Sequence, residues 1–161
     1  MVLSVALKGS RKNVTFHSHP VYKKSFHVEG KTFENAGYVA REVKTLLQAM
    51  KFPPDIIRRA AIVTYEAEIN ICSYADRGDI IIEVSPHEII IESIDEGQGI
   101  EDIELAMREG YSTATETIVK MGFGAGMGLS NIKNFSDSFS ITSQVGKGTY
   151  LKMIIHVKDA E

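Results

Sequence analysis

Residues 79–99 read Asp-Ile-Ile-Ile-Glu-Val-Ser-Pro-His-Glu-Ile-Ile-Ile-Glu-Ser-Ile-Asp-Glu-Gly-Gln-Gly, and two features of that stretch set the architecture. Asp79 to Val84 and Glu88 to Ile94 are β-branched runs parted by Ser85-Pro86-His87, which predicts a hairpin. The second run then ends in Asp95-Glu96-Gly97-Gln98-Gly99. An Asp at the end of a buried strand can lie on the floor of a pocket, while Gly-x-Gly lets the backbone turn tightly over a flat ring. A purine amino group is a suitable donor to such a carboxylate. Taken alone, the pentapeptide fits a polar turn equally well.

Two helices precede the hairpin. From Phe33 to Met50 the apolar positions Ala36, Val39, Ala40, Val43, Leu46, Leu47 and Met50 recur at three and four, the spacing of one buried helix face, with Thr32 or Asn35 as the cap. Pro53-Pro54-Asp55 breaks the chain, and Ile56 to Ala75 runs twenty residues without Gly or Pro, a second helix. Val21 to Val28 reads as a strand before both. Met1 to Pro20 reads as an N-terminal arm with a short strand around Val14 to Phe16. After the hairpin, Asp95 to Gly128 is long, polar and glycine-bearing, with one short helix from Glu101 to Glu109. Leu129 to Phe135 is a further helix, and Ser138 to Ser143 with Thr149 to Val157 form a second hairpin around Gly146-Lys147-Gly148. The simplest burial of these elements is an α/β (α+β) two-layer sandwich, its helices on one face of a mixed sheet.

A length of 161 residues suits one domain, and 43% hydrophobic with 24% charged residues gives it a sizeable core. Lys and Arg number 18 against 21 Asp and Glu, so no global positive field marks a DNA, RNA or anionic lipid binder. Cys72 is the only cysteine, which excludes an intramolecular disulfide and a multi-cysteine zinc site and fits a reducing compartment. The first residues lack a signal pattern, and no stretch approaches the roughly 20 apolar residues of a membrane span. A cytoplasmic protein without direct nucleic-acid or membrane partners is expected.

Seven of the 13 glycines lie between Gly97 and Gly128. Neither familiar phosphate loop explains them. In a P-loop ending at Gly30-Lys31-Thr32 the first glycine falls on Ser25, and the dinucleotide pattern loses its third glycine to Met127 or Leu129. Gly122-Phe123-Gly124-Ala125-Gly126-Met127-Gly128-Leu129 instead runs directly into a helix, whose start adds positive dipole to exposed backbone N–H groups, a candidate phosphate cradle. In the second helix Glu66 and Asn70 are four apart and share a face, whereas Glu68 points away. Glu66 is a candidate general base, and Asn70 offers a neutral oxygen suited to Mg²⁺. The bland alternative for the pair is a solvated Glu beside a surface Asn.

Glu66-x-x-x-Asn70, Asp95-x-Gly97-x-Gly99, the Gly122 to Gly128 loop and Gly146-x-Gly148-Thr149 resemble, in this order, the N box and three glycine boxes of the GHKL ATP-binding superfamily. The similarity covers about residues 21 to 157. Within the superfamily the chain looks most like the anti-sigma factor and serine-protein kinase group, through Gly110-Tyr111-Ser112-Thr113 and Gly126-Met127-Gly128-Leu129. The resemblance implies a Bergerat-type sandwich with a mobile ATP lid at Glu101 to Met121, an N-terminal arm over 1–20 and an ATP-binding kinase domain over 21–161. It implies that Asp95 binds the adenine amino group, Gly97 and Gly99 shape the base pocket, and Thr149 supports the adenine end. Asn70 would coordinate Mg²⁺, Glu66 would take the proton of a partner hydroxyl, and Gly122, Gly124, Gly126, Met127, Gly128 and Leu129 would form the loop at the phosphates of ATP or ADP.

The implied function is a protein serine/threonine kinase acting on an anti-anti-sigma, STAS-type partner. The resemblance also admits a sigma factor as a second partner and a homodimer. One departure keeps an alternative open. Sporulation-type relatives carry an Arg shortly before the Gly-Met-Gly of the lid, where this chain has Gly124 and Ala125; Arg108 or Lys120 would have to replace the charge. The alternative is a non-catalytic module that senses ATP or ADP and holds a partner.

Overall fold

A computed structural model describes residues 3–7 and 22–158 of the chain. Its elements are β1 (Leu3–Leu7), β2 (Tyr22–Glu29), α1 (Tyr38–Ala49), α2 (Pro54–Tyr74), β3 (Ala75–Val84), β4 (Glu88–Gly97), α3 (Ile103–Ala106), α4 (Glu116–Lys120), α5 (Gly128–Phe135), β5 (Ser138–Gln144) and β6 (Gly148–His156). One six-stranded sheet has the order β1-β5-β6-β4-β3-β2. Alternate strand residues such as Ile80, Ile82, Ile89, Ile91, Ile141 and Met153 are fully buried and pack with Val43, Leu47, Ala60 and Ala67 of the helices. The helices cover one face, as expected for a two-layer α+β sandwich.

The sheet itself corrects the expectation of a mixed one. All five neighbouring pairs are antiparallel. Two helices, not one, stand between β2 and β3; a helical hairpin returns the chain to the end it left, so β3 runs back along β2. Strands β4 and β5 do point the same way, but β6 lies between them.

Several boundaries also differ from the sequence reading: β3 begins at Ala75 rather than Asp79, and β4 runs on past Ile94 to Gly97. Leu3–Leu7, expected within the arm, pairs along β5 and forms the sheet edge; the strand expected around Val14 to Phe16 lies outside the described residues. The first helix begins at Tyr38, not Phe33, because Gly37 takes the left-handed conformation at φ 87° and the preceding residues form turns. Neither Thr32 nor Asn35 caps it. Its Val39 and Ala40 N–H groups donate to Glu68 Oε1 and Oε2 at 3.2 and 3.3 Å, a cap supplied by α2. Finally, the long segment after β4 holds two short helices, α3 and α4, where one was expected; Asp102 and Thr115 cap them through Leu105 and Ile118 N–H.

Candidate functional site

Helix α2 owes its length to Pro54 at its start and an uninterrupted run of helix-compatible residues after it. Glu66 and Asn70 lie on the face turned toward α5. Asn131 Nδ2 donates to Glu66 Oε1 at 2.9 Å. A Cβ on Gly128 would stand 3.3 Å from Glu66 Oε2 and 3.4 Å from Asn70 Oδ1, so both oxygens converge on the start of α5. At the other end Arg59 fixes α5, with Nε donating to Phe135 O at 3.0 Å and Nη2 2.8 Å from Asp137 Oδ2. Burial alone would raise the Asp137 pKa, but the His156 N–H and the Arg59 guanidinium outweigh it and hold the carboxyl below its ordinary range.

A second group forms where β4 meets β6. Asp95 Oδ1 accepts the Thr149 N–H at 3.1 Å. Burial pushes the Asp95 carboxyl up to about 6, and the Thr149 N–H offsets part of that rise. Ser143 Oγ lies 2.9 Å from Thr149 Oγ1, accepts the Ile100 N–H at 2.8 Å and donates to Gly148 O at 3.0 Å. A hydroxyl has one proton, so with that proton on Gly148 O the Thr149 hydroxyl is the donor to Ser143. Gly97 brings the backbone close: a Cβ there would meet Tyr74 O at 2.8 Å and Asp95 Oδ1 at 2.9 Å. Gly99 lies against Gln144 in the same way, at φ 72°. Tyr74 is one helical turn, roughly 6 Å, beyond Asn70, so α2 spans from one group of residues to the other.

The glycine-rich loop closes the arrangement. Gly122, Gly124 and Gly126 all have positive φ, the every-second-residue pattern that makes concave rows of N–H groups. Gly126 O accepts the Gly110 N–H at 3.0 Å, and a Cβ on Gly124 would fall 2.3 Å from Ala114 Cβ. Gly124 and Gly126 therefore pack the segment 110–126 onto itself, while nothing lies within 4 Å of a Cβ on Gly122. Phe123 stacks on Phe33 with ring centroids 4.5 Å apart. Met127 precedes α5 and is exposed, whereas Leu129 packs against the core.

A family model described as histidine kinase-, DNA gyrase B- and HSP90-like ATPase matches residues 56–160, a span that holds all of these groups except Phe33. The chain belongs to this ATPase family. The serine/threonine-protein kinase RsbT of Bacillus subtilis (strain 168) is 36% identical over 106 residues, 61% of this chain and 72% of the relative. An anti-sigma F factor of Thermoanaerobacter sp. (strain X514) is 40% identical over 74 residues, 46% of this chain and 48% of that protein. Another, from Caldanaerobacter subterraneus subsp. tengcongensis, is 33% identical over 103 residues, 64% of each chain. The chain thus spans about half to two thirds of the anti-sigma F factors it matches.

Membership in an ATPase family makes ATP or ADP the ligand class of the domain. One carboxylate and one amide oxygen meeting at a helix start suit a hard cation that completes its shell with water and phosphate. Among the described residues no cluster of three His, Cys, Asp or Glu side chains would hold an ion by protein alone. No helix of the described residues is long and apolar enough to cross a membrane.

Several residues of this ATPase domain escaped the sequence reading. Ser143 sits directly opposite Thr149 in the β5–β6 register, a pairing the Gly146-Lys147-Gly148 turn would have located. Asn131 lies three residues after Gly128 and so on its face of α5. Glu68, read as pointing away from the pair, does so and is buried against α1; burial raises its pKa, and the backbone N–H donors Val39, Ala40, Gly37 and Tyr38 oppose that rise. A cavity of about 330 Å³ on this opposite side of α2 is lined by Glu68, Cys72, Tyr38 and Asn35. Burial, with Glu68 nearby, pushes the Cys72 thiol up to about 11, which leaves it protonated and unreactive at neutral pH.

Proposed function

We propose that this chain is an ATP- and Mg²⁺-dependent protein serine/threonine kinase that phosphorylates a STAS-type anti-anti-sigma partner within a regulatory switch. The observation that carries the reading is the convergence of Glu66 Oε2 and Asn70 Oδ1 on Gly128, where the glycine loop enters α5. Asp95 accepts the adenine amino group, Gly97 and Gly99 shape the base pocket by letting its backbone close on Tyr74 and Gln144, and the Thr149 N–H holds Asp95 in place. Gly122, Gly124, Gly126, Met127, Gly128 and Leu129 form the segment that faces the phosphates, with N–H groups and the α5 dipole offsetting their charge. Asn70 holds Mg²⁺, which when bound supplies positive charge to the phosphate oxygens.

In the transfer, Glu66 takes the proton from the partner's serine or threonine hydroxyl. The hydroxyl oxygen forms its bond to the γ-phosphorus as the bond to the bridging oxygen breaks, and ADP leaves with that electron pair. The names of the relatives support the class: one is a serine/threonine-protein kinase and others are anti-sigma factors.

A second reading, a non-catalytic ATP/ADP sensor, is favoured by the absence of a cation at Gly124 and Ala125. Lys120 is engaged within its own helix, 3.9 Å from Glu116, and Arg108 is exposed. Incubation with γ-labelled ATP and the STAS-domain proteins of the same organism separates the two. Labelled phosphoserine or phosphothreonine on one of them is expected, and ATP-dependent binding without label would leave the sensor. Asp95→Asn, which turns an acceptor toward the adenine amino group into a donor, is expected to weaken ADP binding roughly 30- to 100-fold. Unchanged affinity would remove Asp95 from the base pocket.

A further inference from the structure

Glu66 has two carboxylate oxygens with different surroundings. Oε1 accepts the Asn131 side-chain N–H at 2.9 Å, and Oε2 faces Gly128, 3.3 Å from where a Cβ would stand. Asn131 and Gly128 are three apart on α5, so both contacts come from one turn of one helix. That turn is held from three sides. Its Asn131 N–H donates to Met127 O at 2.8 Å, Ser130 Oγ donates to the same carbonyl at 2.9 Å, and Arg59 fixes the far end of the helix through Phe135 O. Ile132, next to Asn131, is fully buried and locks the rotation of α5 against the core. The donor that meets Glu66 therefore stands on a rigid element.

A flexible carboxylate samples several rotamers, and a base acts only in the one that reaches its proton; fixing that geometry is where a positioning group earns rate. We propose that Asn131 is the positioning residue of the kinase reaction: by donating to Oε1 it turns Oε2 toward the space between Gly128 and Asn70, where the partner hydroxyl arrives. This inference rests on the kinase reading above. In this role Asn131 acts through Glu66, the side chain its amide meets. Because it stands four residues after Met127, the orientation of the base is tied to the placement of the phosphate-facing loop.

Single-turnover transfer of γ-labelled phosphate to the STAS-domain partner tests this on the full chain, with ADP affinity and thermal unfolding measured on each variant. Asn131→Ala is expected to slow transfer about 10- to 100-fold while KM for ATP and ADP affinity stay within about twofold. Asn131→Asp is nearly isosteric but replaces the donor by a second acceptor carrying like charge, so transfer falls at least as far as in the alanine variant. Asn131→Gln keeps an amide donor and is expected to recover part of the rate. A residue serving only to pack α5 would give the reverse order, with Asp tolerated better than Ala and Gln, and losses that track the unfolding temperature. That order, or unchanged transfer in Asn131→Ala, overturns the positioning role and leaves the kinase. No transfer by the unsubstituted chain overturns the kinase reading and this one with it.

Discussion

Glu66 and Glu68 stand two residues apart on one helix and do opposite work. Glu68 is 2% exposed and spends both oxygens on the first N–H groups of α1. Glu66 is half-buried, gives one oxygen to Asn131 and keeps the other beside Asn70 at the glycine-rich loop. The chemistry of the two side chains is the same, and the rotation of about 200° between them decides what each can do. One face of α2 therefore builds the domain and the other carries the proposed site. The 330 Å³ hollow beside Glu68 belongs to the building face, and the carboxylate in it is already occupied by a helix terminus.

That division is broken most readily on the building face. Glu68→Ala leaves the Val39 and Ala40 N–H groups buried without acceptors, and a loss of about 3 kcal/mol in denaturant unfolding is expected. ADP affinity of the folded fraction should persist; a variant of normal stability that no longer binds ADP would move Glu68 to the site. Asp95 gives a smaller effect with a definite pH signature. Its folded pKa of about 6 lies above the unfolded value of about 4, so the folded state binds the proton more tightly. Ionisation then costs stability progressively as pH rises from about 4 to 6, and the cost is constant above. Asp95→Asn removes it. The variant should match the parent below pH 4 and exceed it by about 1 to 2 kcal/mol above pH 6, after allowance for partial exposure. A difference that does not change with pH would show that the carboxyl is not held near 6.

The smallest effect lies at a ring contact that, among the described residues, joins the two sides. Phe33, in the turn before α1, stacks on Phe123 of the glycine-rich segment. Phe33→Ala removes a stack of about 1 kcal/mol. Faster amide hydrogen exchange across 110–126, with the core amides unchanged, is the expected outcome; equal protection in both proteins would show that the contact does not hold this segment.

The sequence made some of this legible and hid the rest for identifiable reasons. Helix α2 and both hairpins announce themselves through Pro54, the long run without breakers, and β-branched runs around Pro86 and Gly146, all local signals. The pairing of Glu66 with Asn70 follows from helical spacing alone. The start of α1 does not, because its cap is a side chain 28 residues away and Gly37 stands inside a run of apolar residues at helical spacing. The five-residue β1 was hidden in a polar segment whose partner β5 lies far along the chain. Asn131 and Ser143 matter through what they touch across elements, and a lone Asn or Ser carries no such mark. The antiparallel sheet required counting the helices between strands rather than reading any residue.

The most direct measurement is γ-phosphoryl transfer to the proposed STAS-domain partner by Glu66→Gln, with ADP affinity determined on the same preparation. Gln keeps the shape of the side chain and an acceptor for Asn131, but cannot take a proton. Transfer should fall by about 10²- to 10⁴-fold with ADP affinity retained. Transfer at the rate of the unsubstituted protein would contradict the account.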